Sequence, residues 1–155
     1  MDLQQHPYSC GAAALRSILY VMGKSVMEKT IRRVAGTTEE GTDEDGLKRA
    51  IEHYRLRHRK FEKTNIHEAV KGLKSELRRG NAMLLAVDKQ DHWVSVIGIL
   101  GKKILVFDPA NWEGRKKKLR GLRMYKISEF LPRWGYPDDD GFTYYGITVL
   151  PEKDL

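Results

Sequence analysis

The sequence predicts an α+β fold, with N-terminal helices packed on a C-terminal antiparallel sheet, in one domain over residues 1–155. Three observations lead there. Apolar residues recur at three- and four-residue intervals through most of the first half of the chain. Short apolar runs of strand length, bounded by turn residues, fill the second half. The 155 residues, 41% hydrophobic and 32% charged, suit one compact core, and no repeat or low-complexity stretch marks a boundary.

The first helix starts just after Cys10, where Leu15, Ile18, Leu19 and Met22 keep helical spacing and Gly23 provides a stop. Ser25 is placed to cap a second, short helix carrying Met27, Ile31 and Val34 and ending at Gly36. Thr37 to Asp45 is polar and turn-like, and Leu47, Ala50, Ile51 and Tyr54 mark a third helix. Asn65 caps a fourth, whose buried face is expected to be Ile66, Ala69, Val70, Leu73 and Leu77, with Gly80 closing it. Strands follow at Ala82 to Val87, at His92 to Leu100, and after a Gly101-Lys102 turn at Ile104 to Phe107. Leu122 to Ile127 and Phe142 to Leu150 are further strands, separated by a helical turn over Ser128 to Trp134 that Pro132 breaks.

Composition narrows the chemistry. Cys10 is the only cysteine, so no intrachain disulfide or cysteine-rich zinc site can form. The five histidines show no metal-ligand spacing, so no metal or other cofactor is expected. No apolar run approaches the ~18–20 residues that cross a bilayer. The first residues, Met1-Asp2-Leu3-Gln4, lack the basic start and apolar middle of a signal peptide, and a cytoplasmic protein is the expectation. The 28 Lys and Arg against 21 Asp and Glu give a net charge of +7, suited to an acidic partner.

One constellation carries chemistry. Cys10 stands where a loop becomes a helix, at the end whose unpaired N–H groups and positive dipole stabilise negative charge. Gly11, Ala12, Ala13 and Ala14 leave room beside the sulfur for a substrate or a facing strand. Acyl transfer also needs donors aimed at the developing oxyanion. The Cys10 backbone N–H is one candidate and an upstream glutamine another, Gln4 lying six residues before the cysteine with Gln5 beside it. His92 opens a strand and Asp108 ends the next, sixteen residues on. A hairpin turning near Gly101 brings both ends to the same side, so Asp108 can orient the imidazole toward Cys10. Asp88 and Asp91 are rivals for that role. Asp91 is adjacent to His92 and points to the opposite face of an extended strand, which favours Asp108.

These residues resemble the C39 peptidase family of papain-like cysteine peptidases. The resemblance rests on Gln4 through Leu15, on the His92-Trp93-Val94-Ser95-Val96 strand and on Phe107-Asp108-Pro109, with a late Ile127-Ser128-Glu129-Phe130…Trp134 segment. It implies a papain-like fold with Cys10 as nucleophile, His92 as general base and acid, Asp108 as orienting residue and Gln4 as oxyanion donor. Ser9 departs from the pattern, because exporter-linked members usually carry aspartate there. Those members cleave leader peptides after a double glycine and are fused to a transporter, so the resemblance implies a polypeptide substrate with glycine at the cleavage site, while the +7 charge suits an acidic one.

Two basic stretches remain. Arg55, Arg57, Arg59, Lys60 and Lys63 alternate with Leu56, His58 and Phe61 as a half-exposed strand would. Arg115, Lys116, Lys117, Lys118, Arg120 and Arg123 follow the His–Asp hairpin. Both read as solvated faces, and neither has the aromatic stacking pattern of an RNA-recognition module. An acyl transferase using the same triad, or a basic binding module on the same scaffold, are the alternatives to a hydrolase.

Overall fold

The computed structural model describes residues 2–110 and 121–152. Trp112 and the basic run from Arg115 to Arg120 lie outside the described residues. Seven strands form an antiparallel sheet in the order β1-β7-β2-β3-β4-β5, with β6 paired to β7 off this path. The strands are β1 (Arg57–Lys63), β2 (Ala82–Val87), β3 (His92–Leu100), β4 (Lys103–Phe107), β5 (Leu122–Lys126), β6 (Tyr136–Asp138) and β7 (Gly141–Leu150). The helices are α1 (Cys10–Val21), α2 (Glu28–Ala35), α3 (Glu44–His53), α4 (Ile66–Arg78) and α5 (Ile127–Trp134).

Helices cover both faces of the sheet. On β2, Ala82 and Leu84 join Leu15, Ile18, Ile31, Leu47 and Ile51 of α1, α2 and α3 in one core cluster. Met83, Leu85 and Val87 point the other way, into a second cluster with Leu73 of α4 and Phe130 and Trp134 of α5. This is why Ala82–Val87 is apolar throughout rather than alternating: all six residues are buried. Each large side chain so enclosed contributes on the order of 1.5–3 kcal/mol of transfer free energy.

The α+β reading holds, with corrections that have physical causes. The basic alternating stretch 57–63 is the half-exposed strand its pattern suggests, but it lies among the helices of the first half and pairs with the last strand of the chain, β7. Ser25 does not cap α2; the helix starts at Glu28 after Met27. The Glu28 carboxylate is drawn inward to accept from the Gln5 N–H at 3.0 Å and the Ser9 hydroxyl at 3.1 Å, and this fixes where the turn begins. α3 starts earlier than its apolar residues suggest, because Asp43 caps it by accepting from Gly46 N at 2.7 Å. Asn65 caps α4 as expected, yet Ile66 is 43% exposed and the buried face runs instead through Ala69, Leu73 and Leu77. Pro132 does not break the late helix. It lies in the last turn of α5, with Phe130 and Trp134 buried on either side of it. β6 was not expected; Tyr136 and Pro137 pair with Thr143 and Phe142.

Candidate active site

α1 begins at Cys10, and Gly11 through Leu15 are buried against the strands behind it. A Cβ on Gly11 would come within 3.3 Å of the Trp93 ring, so the small residues after the cysteine serve close approach of β3. That approach brings the Trp93 backbone N–H to 3.5 Å from Cys10 Sγ. The Trp93 indole donates to Thr42 O at 3.3 Å and packs into the α1 core, a structural place.

The segment before Cys10 is held from two sides. Gln4 N donates to Pro109 O at 2.8 Å, joining it to the end of β4. Ser9 is fully buried, its hydroxyl shared between His6 O and Glu28. Glu28, itself buried and paired with Arg32 at 3.0 Å, thus anchors the loop that carries the cysteine; nothing local in its sequence signals this. The Gln4 side chain is buried, with Nε2 donating to His6 O at 2.7 Å. An amide nitrogen has two hydrogens, so one remains for another acceptor.

His92 and Asp108 meet. Nε2 of the imidazole and Oδ1 of the carboxylate are 2.7 Å apart, with the two side chains only 15% and 6% exposed. The Cys10 sulfur, reached by the backbone N–H of the next residue, Trp93, lies close enough to the imidazole to favour its charged form. Sequence reasoning brought these residues together by hairpin geometry, and the strand register does so through one irregularity. Ser95 faces Phe107, whereas Gly98 faces Leu105, so β3 carries one extra residue between Val96 and Gly98. Without it, Asp108 would share a face with Ser95 and point away from His92.

Asp108 is further fixed by the Ala110 N–H, which donates to Oδ1 at 3.1 Å, and by Arg133 Nη2, 3.2 Å from Oδ2. Gly121 adopts φ +87°, and a Cβ there would lie 2.5 Å from Asp108 O, so only glycine lets the returning chain approach this closely. Asp88, a rival by sequence, does not reach the imidazole; it grips Arg133 through both carboxylate oxygens. Asp91 is exposed.

Electrostatics follow from this packing. Burial opposes charge on His92, but the hydrogen bonds to Asp108 and Cys10 outweigh it and push the imidazole up to about 9. Burial likewise opposes ionised Asp108, but the His92 hydrogen bond leads a set of contacts, Arg133 included, that bring it down to about 2. His92 is therefore charged in the fold to higher pH than the ordinary 6.5, and its stabilising contribution is complete below that value and lost as pH rises through about 9. Asp108 contributes above its ordinary 3.8 and loses that contribution as pH falls through about 2. The stability gap between the wild type and His92→Ala is accordingly expected to be widest at about pH 5–6, on the order of 2–3 kcal/mol, and to narrow above about pH 9. Thermal melts followed by circular dichroism across that range check this; a gap independent of pH would mean that the ion pair does not form.

Among the described residues, no group of three or more His, Cys, Asp and Glu side chains is placed to hold a metal ion, and no helix is long and apolar enough to cross a membrane.

Known proteins share this arrangement of elements. The peptidase domain of a Streptococcus ComA, a bifunctional ABC transporter of a quorum-sensing pathway, superposes with a TM-score of 0.68 at 16% identity, covering 97% of each chain. A double glycine motif protease from an AMS/PCAT transporter, solved with its leader peptide, gives a TM-score of 0.68 at 21% identity over 96% of this chain and 89% of that one. By sequence, the lactococcin-G-processing and transport ATP-binding protein LagD of Lactococcus lactis is 28% identical over 131 residues, 84% of this chain but 17% of LagD. An uncharacterized protein of Methanothermobacter thermautotrophicus is 29% identical over 108 residues, 70% of each. The sequence pattern that defines the peptidase C39 family matches residues 1–134, and the chain belongs to that family.

Proposed function

We propose that this chain is a cysteine peptidase that hydrolyses a peptide or isopeptide bond through Cys10, His92 and Asp108. The observation that carries the reading is the 2.7 Å contact of His92 with Asp108 at the start of β3, where the backbone N–H of the next residue, Trp93, reaches the Cys10 sulfur. With Nε2 engaged by Asp108, the remaining ring nitrogen, Nδ1, serves the sulfur. The Cys10 thiolate attacks the substrate carbonyl carbon, and the backbone N–H of Cys10 and the second Gln4 amide hydrogen stabilise the oxyanion. As the C–N bond breaks, His92 delivers its proton to the leaving amine, leaving a thioester on Cys10. His92 then takes a proton from water, which attacks the thioester and releases the acid with the sulfur restored.

The two helical cores flank one continuous sheet, which supports reading residues 1–155 as a single catalytic unit. The leader peptide bound by the double glycine motif protease and the processing role in LagD's name support a polypeptide substrate with glycines at the cleavage site. The +7 charge favours acidic flanks.

Iodoacetamide alkylation read by intact mass tests the core of this reading, because Cys10 is the only thiol. At pH 6 the folded protein is expected to react roughly tenfold faster than the same cysteine in the unfolded chain, and His92→Ala to remove most of that advantage. A folded-state rate no higher than the unfolded one, unmoved by His92→Ala, would overturn it. Product masses with and without added hydroxylamine separate hydrolysis from transfer to an amine.

A further inference from the structure

The His92–Asp108 pair does not end at Asp108. Arg133, near the C-terminal end of α5, lies 3.2 Å from the carboxylate oxygen that His92 leaves unused. Its guanidinium is in turn held by a two-pronged contact, Nε to Asp88 Oδ1 at 2.9 Å and Nη2 to Asp88 Oδ2 at 2.7 Å. The backbones reciprocate, since Asp88 N donates to Arg133 O at 2.8 Å. A fork matched to a carboxylate fixes the guanidinium plane as well as its charge.

Asp88 belongs to an unusual turn. Asp88, Lys89 and Gln90 all adopt left-handed backbone, with φ of 53°, 61° and 60°, and only Asp91 separates them from His92. Non-glycine residues are held there only where surrounding contacts over-determine them, and such strain gathers at functional sites. The Arg133 contacts with Asp88 are among those contacts, beside the Asp91 N–H, which donates to Val87 O at 3.2 Å and Asp88 O at 3.3 Å. The end of α5 therefore touches both strand ends of the site, the turn that leads into His92 and the carboxylate that follows β4. Strand alternation makes this possible: Val94 and Val96 of β3 and Val106 of β4 pack in the cluster containing α5, and His92 and Asp108 continue their parity.

We propose that Arg133, gripped by Asp88, is a positioning residue that fixes the plane of the Asp108 carboxylate and so aims the His92 imidazole at Cys10. The inference rests on the catalytic reading above. It has a sign that simple electrostatics lacks. The Arg133 charge opposes a protonated His92, so removing that charge alone would favour the imidazolium and speed alkylation of Cys10. Positioning predicts the reverse. Tyr125, whose hydroxyl is 3.4 Å from Arg133 Nη1, is the remaining polar group within contact of the guanidinium among the described residues.

Alkylation of the full chain by iodoacetamide across about pH 5–9, with a melting curve for each variant, tests it. Arg133→Met is expected to slow the pH 6 rate five- to tenfold. Arg133→Lys, which keeps one donor toward Oδ2 but loses the fork, should recover part of that loss. Asp88→Asn, a change that tolerates left-handed backbone, should give a two- to threefold loss. A residue that merely staples α5 to the turn would lower the melting temperature in these variants and leave the rate profile in place. Rates for Arg133→Met within twofold of wild type, or above it, overturn the inference while Cys10 and His92 stand. If Arg133→Met does not fold, Asp88→Asn decides, because its side chain is 45% exposed and its loss leaves the core intact. A wild-type rate like that of the unfolded thiol, indifferent to His92→Ala, overturns the catalytic reading and this inference with it.

Discussion

Replacing Cys10 with Ala is expected to lower peptide cleavage by at least roughly 10³-fold while leaving the fold and substrate binding in place. The reason for expecting so clean a separation lies in where the residue sits. Position 10 is the first residue of α1 and is followed by Gly11 and three alanines, so alanine there keeps helix propensity and adds no volume. The sulfur is approached by the Trp93 backbone N–H, and Cys10 itself is only partly buried and belongs to neither core cluster. No other thiol exists to substitute for it. Cys10 is also one of the groups that hold the His92 proton, so the variant should show His92 titrating below about 9 by NMR. The measurement is turnover of a Gly-Gly-containing leader-type peptide, with binding of the same peptide followed by calorimetry. More than about 1% of wild-type turnover in the variant would remove Cys10 from the role of nucleophile.

Much of this was readable in the sequence because it rests on local chemistry. A cysteine before small residues, a histidine opening a strand and an aspartate ending the next are each set by positions within a few residues. The hairpin at Gly101 is enough to bring the last two to one end of the sheet. What sequence pattern could not supply was the parity of that hairpin. The extra residue between Val96 and Gly98 decides whether His92 and Asp108 share a face, and the isolated Gly98 in Val-Ser-Val-Ile-Gly-Ile-Leu allows a bulge without fixing that one is present or where it falls. Glu28 and Arg133 were illegible for a different reason. Each looks like an ordinary charged helix residue, and each acquires its role only when a distant segment closes over it, Ser9 and Gln5 in one case and Asp88 and Asp108 in the other. The strand at 57–63 shows the same limit: its partner, β7, is more than eighty positions away in the chain.

The same neighbourhood makes the two acceptor oxygens of Asp108 matter more than its shape. Asp108→Asn changes one atom, and an amide can hold a histidine in related sites built on cysteine, histidine and asparagine. Here the surroundings forbid it. Among the described residues, donors converge on both carboxylate oxygens: His92 Nε2 and Ala110 N on Oδ1, and Arg133 Nη2 near Oδ2. An asparagine has one acceptor oxygen. If that oxygen stays with His92 and Ala110, its NH₂ group faces Arg133, donor against donor. If the amide flips, the NH₂ meets Nε2 and forces that nitrogen to accept, which moves the ring proton to Nδ1 and leaves no base toward Cys10. Asp108→Asn is therefore expected to lower kcat roughly 10²–10⁴-fold with little change in KM, although the side chain is nearly isosteric. The conflict has a specific remedy. Adding Arg133→Met to Asp108→Asn removes the opposing donor and lets the amide keep its oxygen on His92, so the double variant should be faster than Asp108→Asn alone, even though Arg133→Met by itself slows the enzyme. Such a reversal of sign is a coupling between contacting residues, read directly from the four kcat values of the cycle. Additive losses, with the double variant slowest of all, would show that the carboxylate acts through its charge alone and that the donors around it do not select Asp over Asn.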